Sequence, residues 1–124
     1  ADGWNAAYVS PNEFRRINQV LNVWCEEEQR EPASLKRAVN LSFNMTTKDS
    51  EIAEERRKLA TVWGDRADEI EEGSLLCSPT EAIDRINAYM EVGADEINIS
   101  LRAPWNEEAL DAYLTEVIPA IRAK

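Results

Sequence analysis

Two stretches of strict alternation constrain this chain more than any other feature. Val39, Leu41 and Phe43 alternate with Asn40, Ser42 and Asn44, and Ile97, Ile99 and Leu101 alternate with Asn98 and Ser100. A period of two is the strand period, because successive side chains leave opposite faces of a pleated backbone. Strands are therefore expected over 37–44 and 96–101, with a shorter one around 3–8. Elsewhere the apolar residues recur at three and four, the helical period.

The helix signals are specific. Ser10-Pro11-Asn12-Glu13 supplies a cap, a proline at the first helical position and a capping-box acid. The helix it opens is expected over 11–29, with Phe14, Ile17, Leu21, Trp24 and Cys25 on one buried stripe. A second helix starts at Asp49 or Ser50, carries Ile52, Leu59, Val62 and Trp63, and ends at Gly64. The acidic stretch 65–73 reads as loop or a short helical turn. Ser78-Pro79-Thr80-Glu81 repeats the capping box, and the helix after it, with Ala82, Ile83, Ile86 and Met90, stops at Gly93. Asn106 caps the last helix, with Trp105 and Leu110 spaced as a hydrophobic staple. Pro119 falls inside that helix, where a kink or an early end is expected.

Strands separated by helices return the chain to the same edge in right-handed crossovers, which makes the sheet parallel. Parallel sheets are normally covered on both faces. If Val39, Leu41, Phe43, Ile97, Ile99 and Leu101 lie under the helices, then Asn40, Ser42, Asn44, Asn98 and Ser100 face the other way. A closed barrel gives such groups partners across its interior. An open sheet with one solvated face is the competing arrangement and ranks lower for parallel strands. The expected fold class is α/β, a partial (β/α)8 TIM barrel of about three βα units, with residues 1–124 forming a single unit.

Composition narrows the function. Fourteen basic against 24 acidic residues give a formal charge of −10, which repels nucleic acid and anionic membrane surfaces. Neither is expected as a partner, and no apolar stretch has membrane-spanning length. The absence of histidine removes the commonest general base and transition-metal ligand. Cys25 and Cys77 lack CxxC spacing and read as reduced thiols of a cytoplasmic protein. The chain opens without an initiator Met, and its N-terminus is expected to be a processed, trimmed or excised end. No metal site is expected.

Five segments, in order, carry a family resemblance. Ala1-Asp2-Gly3-Trp4-Asn5, Arg30-Glu31-Pro32-Ala33-Ser34, Ser78-Pro79-Thr80-Glu81-Ala82-Ile83, Gly93-Ala94-Asp95-Glu96-Ile97 and Val117-Ile118-Pro119-Ala120-Ile121-Arg122 resemble segments of the luciferase-like monooxygenases and their deazaflavin-dependent relatives. Together they cover nearly the whole chain. Gln29 departs from the pattern, standing where the family usually has glycine. The resemblance implies the C-terminal segment of a luciferase-like barrel, an FMN or deazaflavin (coenzyme F-420) cofactor, and redox chemistry on a small organic molecule. It also implies that an N-terminal part supplies most contacts to the cofactor ring, so that this chain alone is expected to be inactive and to bind no flavin tightly.

Barrel enzymes place their sites just after their strands. The candidates for cofactor or substrate binding are Arg102, Asn44, Asn5, Trp4 and Trp105, with Met45, Thr46 and Pro104 at the same strand ends. Arg102, on the parity of Asn98 and Ser100, suits a phosphate or carboxylate, or else an ion pair with Asp95 or Glu107. Trp4 and Trp105 could wall a cleft, though Trp105 also has the staple role. Cys77, beside a helix start, is either a thiol of lowered pKa or a small packing residue. No catalytic residue is assigned. Two other functions remain in view: a non-enzymatic self-associating interaction module, and a binding protein for a small anionic ligand with its pocket between subunits. The expected partners are a second copy, as a homodimer or higher oligomer, or the N-terminal part of the barrel.

Overall fold

Strand β2, Lys36–Phe43, pairs in parallel with each of three other strands: β1 (Gly3–Ala7), β3 (Ser74–Leu75) and β4 (Glu96–Ser100). The structure is a computed structural model that describes residues 3–101 and 105–122. On one edge of β2, β1 pairs from Gly3↔Lys36 to Ala7↔Asn40; β3 then takes over with Ser42↔Ser74 and Phe43↔Leu75. The handover is continuous, from Tyr8 N donating to Asn40 O at 2.9 Å to Asn44 N donating to Leu75 O at 3.1 Å. On the other edge β4 runs in register from Ala38↔Glu96 to Ser42↔Ser100. The two strands anticipated from alternation are thus direct parallel neighbours. β3 was not anticipated, because two residues carry no periodicity.

Helices α1 (Pro11–Glu27), α4 (Pro79–Glu91) and α5 (Glu107–Ala112) cover the face that carries Val39 and Leu41. Both of those side chains are fully buried, and cutting Leu41 to alanine would cost about 2–5 kcal/mol. Phe14 of α1 meets Trp4 at 5.2 Å and the edge of Tyr89 of α4 at 6.3 Å, while Phe43 meets Tyr113 at 5.5 Å. The caps are as expected: Ser10 Oγ accepts from Glu13 N, Ser78 Oγ from Glu81 N, and Asn106 Oδ1 from Ala109 N.

Several details differ from expectation. On α1 the buried line is Phe14, Asn18 and Cys25, and Trp24 is 58% exposed. At 100° per residue Trp24 stands about 80° round from Phe14, whereas Asn18 and Cys25 fall within about 40° of it. Asn18 is buried because its amide donates to Val92 O at 2.7 Å, tying α1 to the end of α4. The helix stops at Glu27, and Gln29 takes φ +57. Arg30 N donates to Cys25 O and Gln29 N to Glu26 O, the paired bonds of a Schellman ending, so Gln29 fills the left-handed position that glycine prefers. The acidic stretch forms a 3-10 turn, Gly64–Arg66, and a short helix α3, Ala67–Glu72, after helix α2, Ile52–Trp63. Pro119 does not end its helix. The turn Tyr113–Val117 widens to π geometry, relieving the clash of the proline ring, and α6 resumes over Ile118–Arg122.

Among the described residues no helix is long and apolar enough to cross a membrane.

Candidate functional site

The face opposite the helices carries Asn5, Ala7, Asn40, Ser42, Asn98 and Ser100 by the pairing register. Its two halves differ. Beside Lys36–Asn40 of β2 it is open, with Asn5, Ala7 and Asn98 exposed and a solvent-facing Lys36–Glu96 pair at 3.1 Å. That pair holds the Glu96 carboxyl below its usual range, chiefly by the hydrogen bond from Lys36. At the C-terminal ends α2 stands over the sheet.

Between α2 and the strand ends lies a cleft of about 360 Å³, bordered by Ser42, Asn44, Met45, Ser100, Trp105 and Asn106 on one side and by α2 on the other. Helix α2 contributes Glu55, Lys58, Leu59, Val62 and Trp63. Glu55, Leu59 and Trp63 recur at intervals of four, so one helical stripe faces the cleft. The polar groups form a chain. Ser42 Oγ donates to Asn44 Oδ1 at 2.8 Å, Asn44 Nδ2 donates to Glu55 Oε2 at 3.3 Å, and Lys58 Nζ reaches Glu55 Oε1 at 3.4 Å. Glu55 is only 7% exposed. Arg57, at the rim, is occupied by Glu54.

Tyr8 touches two of the residues that line the cleft. Its hydroxyl donates to Ser100 Oγ at 3.1 Å, across β2, and its ring meets Trp63 edge-on at 5.4 Å. The residue sits at φ +57, an uncommon conformation for a bulky side chain, where the β1 edge hands over to β3.

Of the candidates read from sequence, Asn44 and Trp105 border the cleft together. Trp4 does not: its register partner is Arg37 and its ring packs on Phe14, on the helix-covered face. Asn5 does not either, because β1 runs on to Ala7 and leaves Asn5 in mid-strand. Arg102 and Pro104 lie outside the described residues. Met45 and Thr46 are buried at the end of β2. Cys77 is packed in the core, where burial pushes its thiol up to about 11, which removes the reading of an activated thiol. Sequence reasoning missed Tyr8 and Glu55. Glu55 had a legible signal, since it falls four residues before Leu59 on the phase of the apolar stripe, where a charge is out of place. Tyr8 had none, because its role comes from a backbone angle.

No protein-family model matches the sequence, and no curated protein matches it significantly. Solved structures do match. An F420-dependent secondary alcohol dehydrogenase, in complex with an F420-acetone adduct, superposes on 98% of the chain with a TM-score of 0.78 at 15% identity. The coenzyme F420-dependent tetrahydromethanopterin reductase from Methanopyrus kandleri covers 98% with a TM-score of 0.70 at 17% identity. A long-chain alkane monooxygenase covers 99% with a TM-score of 0.67 at 12% identity. The fold is part of a (β/α)8 barrel. The chain spans 43%, 46% and 37% of the length of those three chains. Among the described residues no strand pairs with the outer sides of β1 and β4, the edges at which a closed barrel would continue.

Proposed function

We propose that this chain is the C-terminal part of a flavin- or deazaflavin-dependent oxidoreductase, and that the cleft under α2 is its share of the active-site pocket. The observation that carries this reading is the cleft's address, at the C-terminal ends of parallel strands, where barrel enzymes build their sites. The likeness to F420-dependent and monooxygenase structures supports the choice of chemistry.

The residues suit a flat ring. Trp63 and Trp105 provide aromatic walls, and Ser42, Asn44 and Ser100 provide neutral hydrogen-bonding groups at the strand ends. These are the residues that would hold one side of an FMN or deazaflavin ring, which supplies hydride or electron transfer when bound. The sheet under the cleft fixes Asn44 through Ser42, so the amide presents one orientation to a ligand. Nothing among the described residues encloses the opposite side of such a ring, and the chain by itself is accordingly inactive in this reading.

The test compares the chain alone with the chain joined to an N-terminal set of βα units of the kind those enzymes possess. Cofactor fluorescence and oxidation of reduced cofactor are read for FMN and F420. Binding and turnover are expected only in the joined form. Tight stoichiometric binding by the chain alone, or no binding by a well-folded joined form, would refute the reading.

A further inference from the structure

The cleft also has a chemical preference of its own, set by Glu55. A carboxylate brought this far out of water needs strong partners, and in folded proteins such groups are usually fully hydrogen-bonded. Among the described residues Glu55 has two side-chain contacts, at 3.3 Å from Asn44 Nδ2 and 3.4 Å from Lys58 Nζ, both longer than the 2.7–2.9 Å typical of charge-assisted bonds. Each carboxylate oxygen accepts about two hydrogen bonds, so acceptor capacity remains open on a group that borders the cavity. Two of the neighbouring hydroxyls are engaged elsewhere. Ser42 donates its proton to Asn44, and Tyr8 donates to Ser100. The same cleft offers apolar surface from Leu59, Val62 and the rings of Trp63 and Trp105.

We infer that the cleft selects neutral ligands with an apolar, flat body and one O–H or N–H donor, and that Glu55 is the specificity-determining acceptor. A ligand carboxylate is disfavoured there, because it would meet a like charge in a poorly solvated place, and Lys58 already serves Glu55. This deepens the proposed function by naming a ligand class for the same cleft, yet it does not need the chain to turn over a cofactor.

The experiment uses three naphthalenes of nearly equal size on the full chain: 2-naphthol with a donor, 2-methoxynaphthalene without one, and 2-naphthoate with a negative charge. Binding is followed by NMR through the indole N–H signals of Trp63 and Trp105. A hydrogen bond to a charged acceptor should favour 2-naphthol over 2-methoxynaphthalene by about tenfold or more, with 2-naphthoate weakest. In Glu55→Met the preference for 2-naphthol should fall to within about twofold while 2-methoxynaphthalene binds as before or better. Equal affinities of the first two probes for the unaltered chain overturn the inference, whether or not the variant folds. So does binding of none of them up to millimolar concentration, or an undiminished preference in a folded Glu55→Met protein. Failure of the oxidoreductase reading would appear separately, as absence of cofactor turnover in the joined form with this selectivity intact.

Discussion

Replacing Gly73 by alanine tests the least expected part of the sheet, the handover from β1 to β3. A Cβ built on Gly73 would lie 2.0 Å from the carbonyl carbon of Tyr8, 2.3 Å from its oxygen and 2.4 Å from the nitrogen of Val9. Carbon atoms pack comfortably at about 3.5–4.0 Å, so the two segments must part by about 1.5 Å. The obstacle is backbone, which cannot rotate away as a side chain can. Parting also strains the bonds that flank the contact: Tyr8 N to Asn40 O at 2.9 Å, Ser42 N to Gly73 O at 3.4 Å, and the Tyr89 hydroxyl to Val9 O at 2.6 Å. Overpacking ordinarily costs about 1–3 kcal/mol, and three simultaneous backbone clashes put this substitution at the upper end or beyond. With a urea dependence of roughly 1.5 kcal/mol per molar, a loss of about 3 kcal/mol lowers the unfolding midpoint by about 2 M. Circular dichroism in a urea series measures it. A Gly73→Ala protein whose midpoint stays within about 0.3 M of the parent would mean that Gly73 does not lie against Tyr8 and Val9, and that β3 does not extend the β1 edge.

Gln29→Gly should raise stability by about 0.5–1 kcal/mol, since relief of the left-handed backbone outweighs the added freedom of the unfolded chain; a lowered melting temperature would contradict the Schellman ending. Stability should fall as pH rises from about 9 toward about 11. Burial raises the folded thiol of Cys77 from 9.0 to about 11, and raises Tyr89 and Tyr113 likewise, so the unfolded chain loses protons first. Urea midpoints across that range check the sign, and an increase would refute it. Finally, the free edges of β1 and β4 and the open N-terminal half of the inner face should drive association into a dimer or higher oligomer; sedimentation showing one chain's mass at every micromolar concentration would oppose this.

The sequence made much of this legible, because alternation and capping are local. Val39, Leu41, Ile97 and Ile99 could be assigned to one face from their period alone, and Ser10, Ser78 and Asn106 fixed helix starts through side chains a few residues from their partners. What was not legible depends on distant approach. Trp24 looked like core by spacing, yet only the docking of α1 decides which 100° of its surface is covered. Trp4 and Asn5 lie away from the cleft because of the face Trp4 takes and because β1 runs on past Asn5, both set by pairing with β2 rather than by β1 itself. The cleft has the same origin: α2 could be drawn from its own residues, but its position over Ser42 and Ser100 could not.

Because β2 pairs with every other described strand, the order of assembly is constrained. β1 closes on β2 across about thirty residues, whereas the bond from Arg37 N to the Asp95 carboxylate spans 58. Loop-closure entropy grows only slowly with length, so the first closure is favoured but not by much. Neither β3 nor β4 has a described strand to join until β2 is held in extended form. The sheet is therefore expected to assemble around a strand in the first third of the chain, and β1, β3 and β4 are expected to part from β2 before β2 loses its last partner.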